Sequence, residues 1–329
     1  MTFKVLNPGL FSTIQDLGRY GHQSEGFSQA GSVDYLSHSL ANQLLGNEIN
    51  APALEMTFQG VSLKVLKDTV IAAAGSDAEL KINDESYDSG CAVHVFKDDE
   101  ISIGKCSGGA RIYLAVSGGF KVQEVLGSSA THTRSGIGGF KGRTLKAGDV
   151  LRTLEGNGDI PEKTVKRVVD ESSHVIKVIP GQQFERFTEE SRTDLFNKDF
   201  EVTKDSDRMG MRLSGPALES TSGYDVLSEP TQLGSIQVPK NGQPIILLND
   251  RQTAGGYARI GTVALCDIPK VAQLVPGSSI SFEEITVEEA AEEYKKILEK
   301  IETGKYLEQS NQFNHVRRVS AQKILNLMG

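Results

Sequence analysis

Short apolar runs, each closed by Gly, Asp, Asn or Pro, fill most of this 329-residue chain and limit its fold more than any other feature. Val61–Leu66 alternates apolar and polar residues, the two-residue period of a half-buried strand. Val70–Ala74, Ile101–Ile103, Arg111–Val116, Val175–Ile179, Pro244–Leu248 and Ile260–Leu265 are similar runs between turn residues. Many short strands with few helices between them predict barrels or sandwiches, not a parallel doubly wound sheet. The 34 glycines against 10 prolines fit a chain of tight turns and close backbone approaches, not a disordered or collagen-like one.

Two helices interrupt the strands. Ser32 is placed to cap a helix with Val33, Leu36, Leu40 and Leu44 on one stripe, stopped by Gly46. Near the end, Thr286 and Glu289 form a capping box ahead of a helix whose apolar face carries Val287, Ala290, Ala291, Tyr294, Leu298 and Ile301. Glu155–Ser173 mixes charge with Gly-Asn-Gly-Asp and is expected to link two domains, 1–155 and 174–285, with residues 286–329 as a C-terminal helix and tail. Leu145–Leu151 and Leu274–Ile280 each set a Gly-centred turn before a final strand, which fits two related β domains in tandem. Val316, Val319, Ile324 and Leu327, with Arg317, Arg318 and Lys323, allow either a docked amphipathic helix or a frayed tail.

Charge and missing motifs narrow the function. The net charge of −8 argues against nucleic acid, whose binders carry a basic footprint. Eight acids against three lysines between Glu283 and Glu302 account for most of it. Cys91, Cys106 and Cys266 have no Cys-x-x-Cys spacing, and the six histidines include no pair at ligand spacing, so neither a disulfide framework nor a metal site is expected. No charged and then apolar leader opens the chain, no apolar run approaches a membrane span, and the cytoplasm is the expected compartment. A phosphate-binding P-loop, a dinucleotide fingerprint, a nucleophile elbow and a Met-Lys-Met biotin site are all missing.

Four polar constellations remain. Gln15–Gly21 brings Asp16 and Arg19 together across two glycines, either as a site or as a loop held by its own ion pair. In Asp205–Leu213, alternation puts Met209, Met211 and Leu213 on one face, and Arg208 and Arg212 on the other with Gly210 as an open floor between them; a solvated strand face is the alternative. Leu248–Tyr257 follows an apolar strand with Asp250, Arg251 and Gln252 and then Gly255 and Gly256, the charge-bearing loop that ligand sites favour. Gly127–Arg143 is rich in hydroxyls and holds His132, Arg134 and Arg143, a weaker signal because Ser and Thr are ordinary turn residues.

In order along the chain stand Asp16-x-Gly18-Arg19-x-Gly21, Gly31-Ser-x-Asp34, Ala53-Leu-Glu55, Leu126-Gly-Ser128 and Gly138-Gly139 through Gly142-Arg143. Asp207-Arg-Met-Gly-x-Arg-Leu213, Gln237-Val-Pro239, Gly242-Gln-Pro244 and Asp250-Arg-Gln-Thr-x-Gly-Gly-Tyr257 follow. Together they resemble the family of the C subunit of bacterial ATP-dependent 5-oxoprolinase. The family also takes in the KipI antagonist KipA, allophanate hydrolase subunit 2 proteins and part of the carboxyltransferase region of urea carboxylase. The resemblance spans roughly residues 3–285. One departure is Ser129-Ala130-Thr131 after Leu-Gly-Ser, where the family often has Arg-Ser-Thr.

The resemblance implies a mainly β protein of two tandem cyclophilin-like β-barrel domains with a few helices. It implies two partners, the KipI-like B subunit and the A subunit of the same enzyme, and a reaction that opens 5-oxo-L-proline to L-glutamate with ATP. Resonance makes a lactam carbonyl a poor electrophile, and phosphorylation of its oxygen would remove that protection. Set against this chemistry, Asp16, Asp207 or Asp250 could act as a base or orient an arginine. Arg19, Arg208, Arg212, Gln252, Gly255 and Gly256 are the candidate substrate-binding residues, with Arg208 or Arg212 forking a carboxylate and Gln252 pairing with the cis amide. The chain would be inactive alone. A regulatory protein that sequesters a KipI-like kinase inhibitor, and a carboxyltransferase component working with a separate biotinylated protein, are the competing functions.

Overall fold

A computed structural model describes residues 1–156, 160–165, 174–309, 318–320 and 322. Every strand predicted above is present, because an apolar run and its flanking turn chemistry agree at each. The chain divides into two compact units that are not contiguous halves. The first takes residues 1–18, 34–169 and 300–329, the second residues 19–33 and 170–299.

In the first unit, β1 (Phe3–Asn7), β2 (Phe11–Gln15), β3 (Ala53–Thr57), β4 (Ser62–Val65), β5 (Thr69–Asp77), β6 (Leu80–Ile82), β7 (Glu85–Tyr87), β8 (Ala92–Val95), β9 (Glu100–Ile103), β10 (Ser107–Val116) and β11 (Val150–Leu151) form two sheets. Their orders are β11-β1-β4-β9-β6-β7 and β2-β3-β10-β5-β8. Inward residues of both sheets, among them Phe3, Val5, Leu54, Met56, Leu63, Ile71, Ile101 and Leu114, share one core. Helix α1 (Tyr35–Gln43) starts later than expected. Asp34, not Ser32, is its cap: the Asp34 carboxylate accepts the backbone N–H of Ser37 at 2.9 Å and the Ser37 hydroxyl at 2.5 Å. Its expected stripe of Leu36, Leu40 and Leu44 is buried.

The predicted linker holds structure as well. Lys163–Thr164 (β12) pairs with Glu308–Gln309 (β22), while residues 157–159 and 166–173 lie outside the described set. Most of the C-terminal stretch, including Val316, Arg317, Lys323, Ile324 and Leu327, also lies outside it. Arg318 is described: it pairs with Asp99 and sits 5.5 and 5.6 Å from the ring centroids of Tyr87 and Phe96.

The second unit closes into a barrel. Its strands are β13 (Val175–Pro180), β14 (Phe200–Val202), β15 (Gly210–Ser214), β17 (Ser235–Gln237), β18 (Ile245–Leu247), β20 (Arg259–Val263) and β21 (Ser279–Glu284), in the ring order β13-β20-β17-β18-β15-β14-β21. A two-stranded antiparallel sheet of β16 (Asp225–Pro230) and β19 (Ala254–Tyr257) accompanies it. Of the two barrels expected, this one is a closed hydrogen-bonded ring, and the first unit is two sheets around a common core. The helices of this unit are α2 (Glu189–Asn197), α3 (Ile268–Gln273) and α4 (Val287–Glu302).

Helix α4 begins at the predicted capping box, with Thr286 Oγ1 accepting the Glu289 N–H at 3.2 Å and Glu289 Oε2 accepting the Thr286 N–H at 3.1 Å. Ala290, Tyr294 and Ile297 pack against Ala264, Cys266 and Ile285. Val287 and Leu298, expected on that face, are 59% and 36% exposed, since this contact stripe is narrower than the apolar pattern. No helix among the described residues is long and apolar enough to cross a membrane.

Candidate functional site

Each unit places some of the polar constellations. In the first, Asp16 is the residue just past β2 and is buried. Its Oδ1 accepts the Gly18 N–H and the Ser128 hydroxyl, each at 2.8 Å, and its Oδ2 accepts the Ser129 N–H at 2.6 Å. The carboxylate therefore clamps the Leu126–Ala130 loop, and Ser129 enters through its backbone, so a side chain without charge serves there. Arg143 forks onto Asp149 with two 2.8 Å bonds, which holds its charge within the loop. His132 is buried; its Nδ1 lies 2.8 Å from Ser135 Oγ, and its Nε2 has no hydrogen-bond partner among the described residues.

The first unit also holds a buried cluster that the sequence does not announce. Tyr113 of β10 stands directly across from Glu55 of β3. That register brings the Tyr113 hydroxyl within 2.6 Å of Glu55 Oε2, to which it donates, while accepting the Asp34 N–H at 2.9 Å. The ring of His38 meets Tyr113 edge-on at 5.8 Å. The available signal is a glutamate inside the otherwise apolar run Ala53–Met56.

Burial pushes the His38 imidazolium down from 6.5 to about 4, against weaker upward pulls from Asp16 and Glu55. Because the folded value lies below the unfolded one, the unfolded chain takes up this proton first. Stability contributed by neutral His38 is therefore full above about pH 6.5 and is lost as pH falls toward 4. Urea titrations should show a loss on the order of 3 kcal/mol across that window. The loss should be absent in His38→Gln, and an unchanged slope in that variant would overturn the assignment.

The second unit holds the richer site. β15 pairs with β18 so that Gly210 faces Leu247. The ladder runs on past both strands, with Leu248 N–H donating to Met209 O at 3.0 Å and Asp250 N–H to Arg208 O at 2.9 Å. That register sets Arg208 beside Asp250. Arg208 Nε and Nη2 fork onto the two Asp250 oxygens at 3.0 and 2.9 Å, and Nη2 also donates to Gly31 O at 2.7 Å. Both side chains are 7% exposed.

Arg212 points outward on β15 and is exposed, so it does not share a face with buried Arg208. Asp207 is exposed and closes an Asx turn through Oδ1, which accepts the N–H groups of Met209 and Gly210. Gly210 is not an open floor: a Cβ there would lie 2.8 Å from Ile245 Cγ2.

The segment 19–33 is stitched to the loop after β18. Arg19, buried, donates its backbone N–H to Gln29 O at 2.7 Å, and Ala30 N–H donates to Asn249 O at 3.0 Å. Asn249 Nδ2 returns bonds to Ala30 O and Ser32 O, Ser28 Oγ donates to Arg251 O, and Gln23 Nε2 donates to Thr231 O and Thr253 O. These contacts explain why 19–33 belongs with the second unit despite its place in the sequence.

Two carboxamides converge at Gly255. Gln252 Nε2 donates to Gln237 Oε1 at 3.3 Å, and Gln237 Nε2, buried, has no partner among the described residues. A Cβ at Gly255 would lie 2.4 Å from Gln237 Nε2 and 3.2 Å from Gln252 Nε2, so only glycine leaves both amides in place. Gly256, next on β19, sits closest to Val226 O and Ser228 Oγ instead. In the sequence Gln237 is visible only as part of a motif; its place here depends on the β17 register, which the sequence does not display.

The family model of the carboxyltransferase domain, subdomain A and B, matches residues 25–284. Among curated proteins, the 5-oxoprolinase C subunit of Escherichia coli (strain K12) is 35% identical over 288 residues, covering 87% of this chain and 92% of that protein. Urea amidolyase of Lachancea kluyveri is 32% identical over 334 residues but is covered for only 18% of its length. The solved urea amidolyase of K. lactis superposes with a TM-score of 0.86 at 29% identity, over 92% of this chain and 20% of that one. With a domain match across most of its length and a near-full-length relative, the chain belongs to the carboxyltransferase-domain family, together with the C subunits of 5-oxoprolinase.

Proposed function

We propose that this chain is the C subunit of an ATP-dependent 5-oxoprolinase, acts in the cytoplasm with the KipI-like B subunit and the A subunit of that enzyme, and has no activity alone. The observation that carries the reading is reciprocal coverage: the match to the 5-oxoprolinase relative runs over 87% of this chain and 92% of that protein. Urea amidolyase instead contains a domain of this kind as about a fifth of a larger chain.

The second unit supplies chemistry that suits a lactam. A lactam is a cis amide, with its carbonyl and N–H on one side. Gln237 Nε2 offers an unused buried donor, and the neighbouring Gln252 offers its Oε1 as an acceptor. A bound 5-oxoproline would place its carbonyl on the first and its N–H on the second. The donated hydrogen bond polarises the carbonyl, and Gly255 provides the gap in which the pair stands. Arg208 holds Asp250 in a fixed direction, which makes Asp250 an oriented acceptor at the floor of the same loop.

Reconstitution tests the reading. Glutamate should form from 5-oxoproline and ATP only when this chain and both partners are mixed. A tight complex with the KipI-like protein and no turnover would favour the regulatory role, and avidin-sensitive carboxylation the carboxyltransferase role.

A further inference from the structure

Asp250 and Arg251 are neighbours in sequence and opposites in state. Asp250 is neutralised by the Arg208 fork. Arg251 is 6% exposed and has no acidic partner among the described residues: its side-chain hydrogen bonds are two long ones, Nη1 to Leu248 O at 3.4 Å and Nη2 to Gln29 Oε1 at 3.5 Å. Its Nε has none. Arg208, Arg259 and Arg192 of this unit pair with Asp250, Glu229 and Glu185, and Arg212 is exposed.

Burying a cation without a counter-charge is costly, and proteins ordinarily pair such a group or leave it solvated. The desolvation is large enough to pull the Arg251 guanidinium down to about 10. Even so it remains charged at neutral pH. The Arg251 backbone is fixed from the other side, since its carbonyl accepts the Ser28 hydroxyl at 2.7 Å. The site is thus a firmly mounted, desolvated, planar set of donors with no acid among the described residues to neutralise it.

We infer that Arg251 is the carboxylate-binding element of the second unit, and that it takes the carboxylate of a small lactam acid through its guanidinium fork. This rests on the proposed function for the identity of the ligand. Arg208, the arginine expected above to hold that carboxylate, has its Nε and Nη2 committed to Asp250 and Gly31. A guanidinium matches the two oxygens of a carboxylate in its own plane, whereas a point charge does not. Arg251 also directly precedes Gln252 in the chain, so a ligand on the carboxamides and one on this guanidinium would engage adjacent residues of one loop.

The test compares 5-oxoproline with 2-pyrrolidinone, the same lactam without a carboxylate, in the assembled enzyme of three subunits. Arg251→Met, of similar length and no charge, should raise KM for 5-oxoproline about 10- to 100-fold. The native enzyme should prefer the acid over the neutral lactam, and that preference should collapse by the same factor in the variant. Arg251→Lys, which keeps the charge and loses the fork, should recover only part of it. An equal effect on both lactams, or none on either, overturns the inference.

A second arm separates this from the proposed function. Thermal shift of the full chain by 5-oxoproline, by 2-pyrrolidinone and by inorganic phosphate needs no turnover. Protection by 5-oxoproline but not by 2-pyrrolidinone, lost in Arg251→Met, upholds the carboxylate site even if the assembly makes no glutamate. Protection by phosphate alone overturns it.

Discussion

Replacing Gly255 with alanine should lower kcat/KM of the assembled enzyme about 100-fold while leaving the chain folded, since a displacement of about 1 Å at a positioned group carries a penalty of that size. A Cβ at this position would lie 2.4 Å from Gln237 Nε2 and 3.2 Å from Gln252 Nε2. Both are the far ends of flexible side chains, so the collision is relieved by swinging the amides away and not by unpairing β19 from β16. Steady-state kinetics should show the loss, with circular dichroism and the melting temperature close to native. Gly256→Ala is the control, because its Cβ would meet nothing closer than Val226 O at 3.4 Å. If Gly255→Ala turns over at the native rate, the carboxamide pair is not the lactam site.

Asp250→Ala should destabilise the second unit by about 3–5 kcal/mol, because it takes the forked carboxylate away from a buried guanidinium. Arg208 has Asp250 as its forked ion-pair partner, and both side chains are 7% exposed. The double variant Arg208→Met with Asp250→Ala should regain much of that loss, since both members of the buried fork are then removed together. Urea denaturation of the three variants measures the coupling. A loss below about 1 kcal/mol for the single variant would mean that the fork contributes no more than an exposed ion pair does. Activity separates two roles that stability cannot: if Asp250 only holds Arg208, the double variant should also recover turnover.

Both expectations rest on pairings that differ in how far the sequence shows them. The strands were legible because apolar runs and turn residues agree at each one, as Val61–Leu66 and β4 illustrate. The α4 start was legible because a capping box is a local interaction within four consecutive residues. Less visible were features that depend on which strand lies beside which. Arg208 and Arg212 alternate like partners on one face, yet Arg208 lies before β15 begins and turns inward to Asp250, while Arg212 faces out. Ser32 looked like the α1 cap, and the longer reach of the Asp34 carboxylate to the Ser37 N–H decided otherwise.

The sequence by itself determined the β class, the family and the loop that carries Asp250, Arg251 and Gln252, because composition, period and motif order are properties of neighbours along the chain. Tertiary structure alone decided which of those residues are neutralised and which are not. Asp250 received its counter-charge from forty-two residues away, Gln252 its carboxamide partner from fifteen away, and Arg251 no acid among the described residues. Charge compensation depends on distance in space and on exclusion of water, and neither can be read from the order of residues until the barrel has closed.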